Sequence, residues 1–519
     1  MNILLLSMPD SFEHMSPVTV RMPTGALSSL AGNVDQEHQV AVADLILVQN
    51  RVREVVEELV QSTAPAVVGL SVMTFQRRTA HALIRLIRTL RPEARIVVGG
   101  YDPSLAPQAY TDPSLGVDVV VRGEGDVTFR EILRAIDSNT GTGYGDIAGL
   151  TYRYGSSFVD TAPRPVGALD TDVVRLPDRS ARVLPGYTLL GRPVDVVETS
   201  RGCTYDCSFC SIIEMRGRNF HRFPVSRVLA DIVDARARGA RCIFFVDDNI
   251  TLDMPRFEEL CRAIVARGLN DVDYVIQGMT SAIAKHGDTI APLMRQAGFR
   301  YVFLGIENIL DDDLAFLRAA AKNQTRSQSG ERESATLRAI DYLHRHGIYV
   351  VGGLIVGNPD DTRESIEANL TFARQYIDWP YIQHPTPYPG TPMTQDFEAR
   401  ALIVNDRMED YDGTTAVVKT AALEVDEIEF LRWRAERWMK LGHFPAALRH
   451  SPGFVMRHGL AMLRETFRGS SVRSWLGLES DRVVFDRYRK LRRAERASIW
   501  QDLGDTSART PGRGKAKAA

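Results

Sequence analysis

Long apolar runs, a strong charge imbalance and paired cysteines are all missing from this 519-residue chain. No stretch reaches the roughly 18 apolar residues that a membrane-spanning helix needs, so no span is expected. The formal net charge is -2 and the sequence pI about 6.6, which gives no general attraction for nucleic acid or anionic lipid. The opening MNILLLSMPD is apolar but has no basic leader and no small-residue cleavage site. It reads as a buried first strand rather than a signal peptide, and a cytoplasmic protein is expected. Five cysteines are too few for a disulfide scaffold in so long a chain. Three of them, Cys203, Cys207 and Cys210, fall within eight positions, the distribution of a metal or catalytic site. Cys242 and Cys261 stand apart, at a strand start and on a helix, and read as core residues.

Hydrophobic residues make up 44% and charged residues 25%, an ordinary globular balance, and the length predicts two or three cores. Short apolar runs alternate with amphipathic stretches up to residue 140. Residues 3–9, 39–45, 66–72, 94–100 and 117–123 are the strand candidates, with helices over Arg51 to Gln61 and Arg77 to Thr89. That pattern predicts an open α/β sandwich on a parallel sheet, its ligand beyond the carboxyl ends of the strands. Residues 141–191 are rich in Gly, Pro, Asp and Arg and read as a linker. A second series follows over 192–395, with strand candidates at 194–200, 242–248, 272–278, 301–307, 349–357 and 381–387. Six β/α units predict a partial barrel with its reactive groups at the strands' carboxyl ends. Residues 396–500 read as a helical domain and the basic tail 501–519 as disordered.

The segment ETSRGCTYDCSFCS sets C-x3-C-x2-C directly after a strand. Three thiolates hold three irons of a cubane and leave the fourth without a protein ligand. The rival is a structural zinc site, normally closed by four ligands; here His221 lies eleven residues past Cys210.

With Phe209 just before the third cysteine, this segment resembles the signature of the radical S-adenosylmethionine (SAM) superfamily. The resemblance covers roughly residues 194 to 390 and implies a [4Fe-4S] cluster whose open iron chelates SAM and whose electron cleaves it to a 5'-deoxyadenosyl radical. It also implies SAM contacts at Phe209, Asp247, Asp248, Gly305, Glu307, Gly353, Ile355 and Gly357. Several have a plainer reading: helix capping for the two aspartates, an ion pair for Glu307, strand-end packing for the glycines.

The α/β domain placed before such a cluster is similar to the cobalamin-binding subgroup of that superfamily, whose members carry VGG and GEG turns. The matching residues are Gly99, Gly100, Gly123, Glu124 and Gly125, with Ser71 and Thr74 as partners for the cofactor tail. Small residues suit a flat macrocycle, while the turns taken alone are ordinary turn glycines. The Asp-x-His-x-x-Gly motif that supplies a histidine to cobalt is absent, since His14 lies in SFEHMSP; no lower axial ligand is assigned.

The resemblance implies methylation of an unactivated carbon of a lipid, hopanoid-like, or of a natural-product intermediate. Methylcobalamin would carry the methyl group, and a flavodoxin- or ferredoxin-like donor the electron. A cobalamin-using radical cyclase stays open beside it, as does a cobalamin sensor or Fe-S carrier without turnover. Tyr381, Gln383, His384 and Tyr388, at the sixth strand end, and Tyr411 are candidates to face substrate or to pack.

Overall fold

The structure, a computed structural model, describes residues 1–11, 19–137, 143–326 and 332–505. Strands β1 (Asn2–Ser7), β2 (Gln39–Asp44), β3 (Val67–Ser71), β4 (Arg95–Gly99) and β5 (Val119–Val121) form a parallel sheet in the order β2-β1-β3-β4-β5. Successive side chains leave the strand on opposite faces. Leu4 and Leu6 therefore enter one core with Val68, Leu70 and Ile96. Ile3 and Leu5 enter the other with Val67, Val97 and Phe129. Helices Val52–Thr63 and Arg77–Leu90 agree with their expected positions. This strand order places the ligand crevice of a doubly wound sheet beyond the carboxyl ends.

The segment 141–191, expected as a linker, departs from that reading. Strands β6 (Leu150–Tyr154) and β7 (Ser157–Asp160) form an antiparallel hairpin that extends the first sheet beyond β5. They are short and mostly exposed along their outer halves, so no buried apolar run announces them.

The second sheet runs in chain order: β8 (Arg192–Val197), β9 (Cys242–Phe245), β10 (Asp273–Met279), β11 (Phe299–Glu307), β12 (Tyr349–Ile355) and β13 (Trp379–Gln383), all parallel. It is the curled half-barrel of six β/α units that the sequence predicts. At the β8 edge the antiparallel pieces Thr188–Leu189 and Val20–Arg21 continue it, so a stretch of the first domain lies on the barrel sheet. Phe245, Phe257, Tyr274 and Phe299 stack at the core of this domain, fully buried, and Cys242 and Cys261 are buried with it.

Helices fill the C-terminal region. The last, Asp481–Asp502, ties this region to the first domain. Its Arg492 donates to Asp412 Oδ2 at 2.6 Å, and Trp500 Nε1 donates to Thr79 Oγ1 of the first domain at 2.9 Å. Ile499 and Leu503 join the first domain's core. The tail expected from residue 501 begins inside this helix, and residues 506–519 lie outside those described, as does His14. Among the described residues no helix is long and apolar enough to cross a membrane.

Candidate functional site

The cysteine loop leaves the carboxyl end of β8. Its stem is fixed by Asp247, which accepts hydrogen bonds from the Thr199 N–H at 2.7 Å and the Thr199 hydroxyl at 2.5 Å, and from the Ser200 hydroxyl. Arg256 donates to the Thr199 carbonyl at 3.0 Å and the Phe223 carbonyl at 2.8 Å. Asp247 is buried, and burial pushes its carboxyl up to about 6 against those bonds. This corrects the expectation that Asp247 faces the SAM amino group: both of its oxygens are spent on the loop. Asp248 behaves differently. It accepts the Gly202 N–H at 2.7 Å, immediately before Cys203, and lines the cavity described below.

Cys207 is buried, while Cys203 and Cys210 are partly open. Burial pushes the Cys207 thiol up to about 12 and that of Cys210 up to about 11; Cys207 feels the charges of both other cysteines, and Cys210 that of Cys203. Among the described residues the only His, Cys, Asp or Glu group with ligand atoms gathered within 4.8 Å is Glu37, His38 and Asp137. The three thiols are therefore neighbours but do not close around one ion. A zinc site needs its ligand atoms gathered around one ion, whereas in a multi-iron cluster each thiolate takes its own iron and no such convergence is required.

One cation stands over the thiols, and sequence reasoning missed it. Lys322 Nζ lies 2.7 Å from Glu307 Oε1 and 5.9 Å from the centre of the Phe209 ring. Burial alone would lower the Lys322 ammonium, but Glu307 first and then Cys207 hold it raised. Glu307 has φ +62°, at a register break where β11 meets β12, which turns its carboxylate toward Lys322. At Gly305 a Cβ would come within 2.9 Å of that carboxylate. Glu307 thus sits in an ion pair, the plainer of its two readings, but one aimed at the cysteines. Phe209 packs with Ile355, Tyr388, Leu314 and Met393 in one apolar cluster. Gly353 is required by its own sheet, since a Cβ there would come within 2.9 Å of the Phe303 ring. Gly357 takes φ +100°, and its N–H donates to Asp361 at 2.8 Å.

Between the first sheet and the barrel lies a cavity of about 380 Å³, open at one side. Ser71, Gly99, Gly100, Gly123, Glu124 and Gly125 line it from the strand ends of the first domain. A Cβ at Gly123 would meet nothing within 4 Å, so that backbone faces open space. At Gly100, φ +105° and a Cβ position 2.8 Å from the Val72 carbonyl oxygen admit no side chain. This bare backbone rim is what a flat macrocycle needs. Thr74 does not belong to it: it is buried, in the turn Thr74–Gln76, outside the lining, which corrects its place among the cofactor contacts.

The barrel side of the cavity is charged. Arg201 Nη1 lies 2.6 Å from Asp126 of the first domain, and Arg201 Nη2 lies 2.9 Å from Glu198. Arg216 lies 2.6 Å from Glu124. Burial pushes the Glu198 carboxyl up to about 7 although Arg201 opposes it. Tyr101 lines the same space. Arg201 stands two residues before Cys203 in ETSRGC, a signal that was there to be read; Lys322 lies in no motif.

The substrate candidates divide. Gln383 and Tyr381 are half-buried at the end of β13. His384 is 2% exposed, its Nδ1 lies 3.1 Å from the Val356 carbonyl, and burial pushes its imidazole down to about 3. It is a neutral packing residue, which corrects its placement at the substrate. Tyr388 donates to the carbonyl of Tyr411 at 3.3 Å, and both belong to the Phe209 cluster.

The sequence matches the family models of the B12 binding domain over residues 16–133 and of the radical SAM superfamily over residues 197–373. An uncharacterised methyltransferase of Pyrococcus horikoshii is 28% identical over 437 residues, 84% of this chain and 91% of that protein. The anaerobic magnesium-protoporphyrin IX monomethyl ester cyclase of Cereibacter sphaeroides is 25% identical over 527 residues, 96% of this chain and 81% of the cyclase. The cobalamin-dependent SAM radical enzyme OxsB, solved with aqua-cobalamin and SAM bound, shares the fold with a TM-score of 0.64 at 14% identity, covering 98% of this chain and 79% of OxsB. A glycine-rimmed α/β domain set against a three-thiol half-barrel defines a radical SAM enzyme with a second cofactor site. The chain carries the two domains of cobalamin-dependent radical SAM enzymes, and its cofactors are a [4Fe-4S] cluster, SAM and cobalamin.

Proposed function

We infer that this enzyme methylates an unactivated carbon of a small molecule with a large apolar part, a lipid or a natural-product intermediate. The observation that carries this reading is the sharing of residues between the two sites. Asp248 holds the backbone next to Cys203 and also lines the glycine-rimmed cavity, so a substrate in reach of one cofactor is in reach of the other. When bound, SAM on the cluster supplies hydrogen-atom abstraction and cobalamin supplies the methyl group.

The chain's own residues position and shield. Cys203, Cys207 and Cys210 are assigned to the cluster, with Lys322 offsetting their negative charge. Phe209, Ile355 and Gly357 shape the SAM side. Gly99, Gly100, Gly123 and Gly125, with Ser71, form the corrin rim, and the Arg201 and Arg216 ion pairs hold the two domains together around it. Gln383 is the candidate that remains at the barrel mouth for substrate. A flavodoxin- or ferredoxin-type protein is the proposed electron donor.

A second reading, radical cyclisation without methyl transfer, is favoured by the similarity to the cyclase over 96% of the chain. Anaerobic turnover of reconstituted enzyme with candidate substrates separates the two. Methyl transfer gives S-adenosylhomocysteine and 5'-deoxyadenosine in equal amounts together with a product one methyl group heavier. Cyclisation gives 5'-deoxyadenosine without matching S-adenosylhomocysteine. Formation of neither, from iron- and cobalamin-loaded protein, overturns both readings.

A further inference from the structure

The C-terminal helices leave large apolar side chains outside the fold. In the helix Pro452–Thr466, Met456 and Leu460 are 85% and 86% exposed, one turn apart on the same face. The short helix Val472–Trp475 and the turn after it add Val472, Trp475, Leu476 and Leu478, all more than 60% exposed. Trp475 is anchored from below, its ring 4.5 Å from that of Phe467, so the projecting group is held by the helical domain. Large apolar side chains exposed in such number in one short stretch mark an interaction site.

Its rim is cationic. Arg457 and Arg464 flank Leu460 at the positions three before and four after it, and Arg449 and Arg473 stand at either end. None of the four makes an ion pair among the described residues, whereas Arg468 beside them is paired with Glu465 at 3.4 Å and with Glu495. Elsewhere in the molecule arginines are repeatedly spent on carboxylates, as at Arg179, Arg201 and Arg216. Here they are left for something outside. The chain as a whole has no positive excess; this patch does locally.

We propose that this face docks the enzyme onto an anionic lipid bilayer, with Met456, Leu460, Trp475 and Leu476 entering the headgroup boundary and Arg449, Arg457, Arg464 and Arg473 meeting lipid phosphates. Exposed apolar side chains interleaved with arginines along short helices are the make-up of an interfacial, not a spanning, segment. A second copy of the chain is the poorer occupant. Twofold packing would set the same unpaired arginines against one another. The inference concerns where the enzyme works and does not depend on which carbon it modifies.

The test is co-sedimentation of full-length, cluster-loaded enzyme with vesicles of phosphatidylglycerol and phosphatidylcholine in equal parts, and with phosphatidylcholine alone. Binding is expected to the anionic vesicles, to weaken at high salt, and to fall about thirtyfold in Arg457→Gln/Arg464→Gln. Leu460→Glu/Trp475→Glu is expected to abolish it while keeping wild-type iron content and SAM cleavage. Absence of wild-type binding, or unchanged binding by the Glu variant, overturns the proposal. So does a dimer, seen by light scattering, that the Glu variant splits, because the patch then belongs to a second copy.

Discussion

Replacing Lys322 with methionine keeps the length and apolar stem of the side chain and removes only its ammonium. The structure sets the scale of the effect. At 2.7 Å and an effective dielectric of 20, the gross attraction between Lys322 and Glu307 is about 6 kcal/mol. Both side chains are largely buried, at 15% and 11% exposure, so desolvation offsets much of that. What Lys322→Met leaves behind is an uncompensated carboxylate beside Cys207, which costs about 3 to 5 kcal/mol. Removing both charges costs far less than removing one, so Lys322→Met/Glu307→Gln is expected to recover most of the loss. Urea unfolding of the apoprotein under anaerobic conditions measures the three proteins together. Iron content after reconstitution gives an independent readout. Lys322 favours the thiolate forms of Cys207 and Cys210, so iron loading falls in the single variant and is not restored in the double one. A Lys322→Met protein as stable as the wild type, or a double variant no better than the single, refutes this account of the pair.

Arg201→Met is expected to cost about 3 kcal/mol, because Asp126 stays buried, and Glu198 partly so, without their partner; faster proteolytic cleavage between the domains reports it. Gly100→Ala forces a Cβ to 2.8 Å from the Val72 carbonyl at φ +105°, so a loss of about 2 kcal/mol and weaker retention of cobalamin, read from the visible spectrum, are expected. Asp247 carries its proton more tightly folded than unfolded, with its carboxyl raised from 3.8 to about 6. Between those values the folded state binds more protons, so apoprotein stability falls by about 3 kcal/mol as pH rises through that window. Asp247→Asn removes the slope, and a variant whose pH profile matches the wild type's refutes the assignment.

Much of this was legible before any coordinates, for a physical reason. Strands buried on both faces read as continuous apolar runs, so β1, β3, β4 and β12 stand out in the chain, and three cysteines in eight positions mark chemistry without further context. The hairpin β6–β7 was missed because an edge strand with one open side shows no such run. Lys322 was missed for another reason. Its meaning comes from Glu307 and the cysteines, which are 15 and more than 100 positions away, and a lysine carries no local pattern that announces burial.

The neighbouring pair Asp247 and Asp248 shows where sequence resolution stops. Both follow β9, and both match the same family position, so the motif assigns them one role. Adjacent residues leaving a strand point to opposite sides. One of the two must therefore turn into the protein, and there the only affordable state for a carboxylate is one saturated by donors. Thr199 and Ser200 supply those donors to Asp247, which fixes the stem of the cysteine loop. Asp248, on the other side, takes the Gly202 N–H and keeps its remaining face to the cavity. The division of labour follows from the period of the strand, but which acid receives which task depends on the register of β8 against β9, Val197 opposite Phe245. A one-residue slip there would exchange the two roles and turn the cysteines' own support toward the glycine rim. The cysteine loop and the glycine-rimmed cavity are thus related through this backbone register as well as through the Arg201 and Arg216 ion pairs.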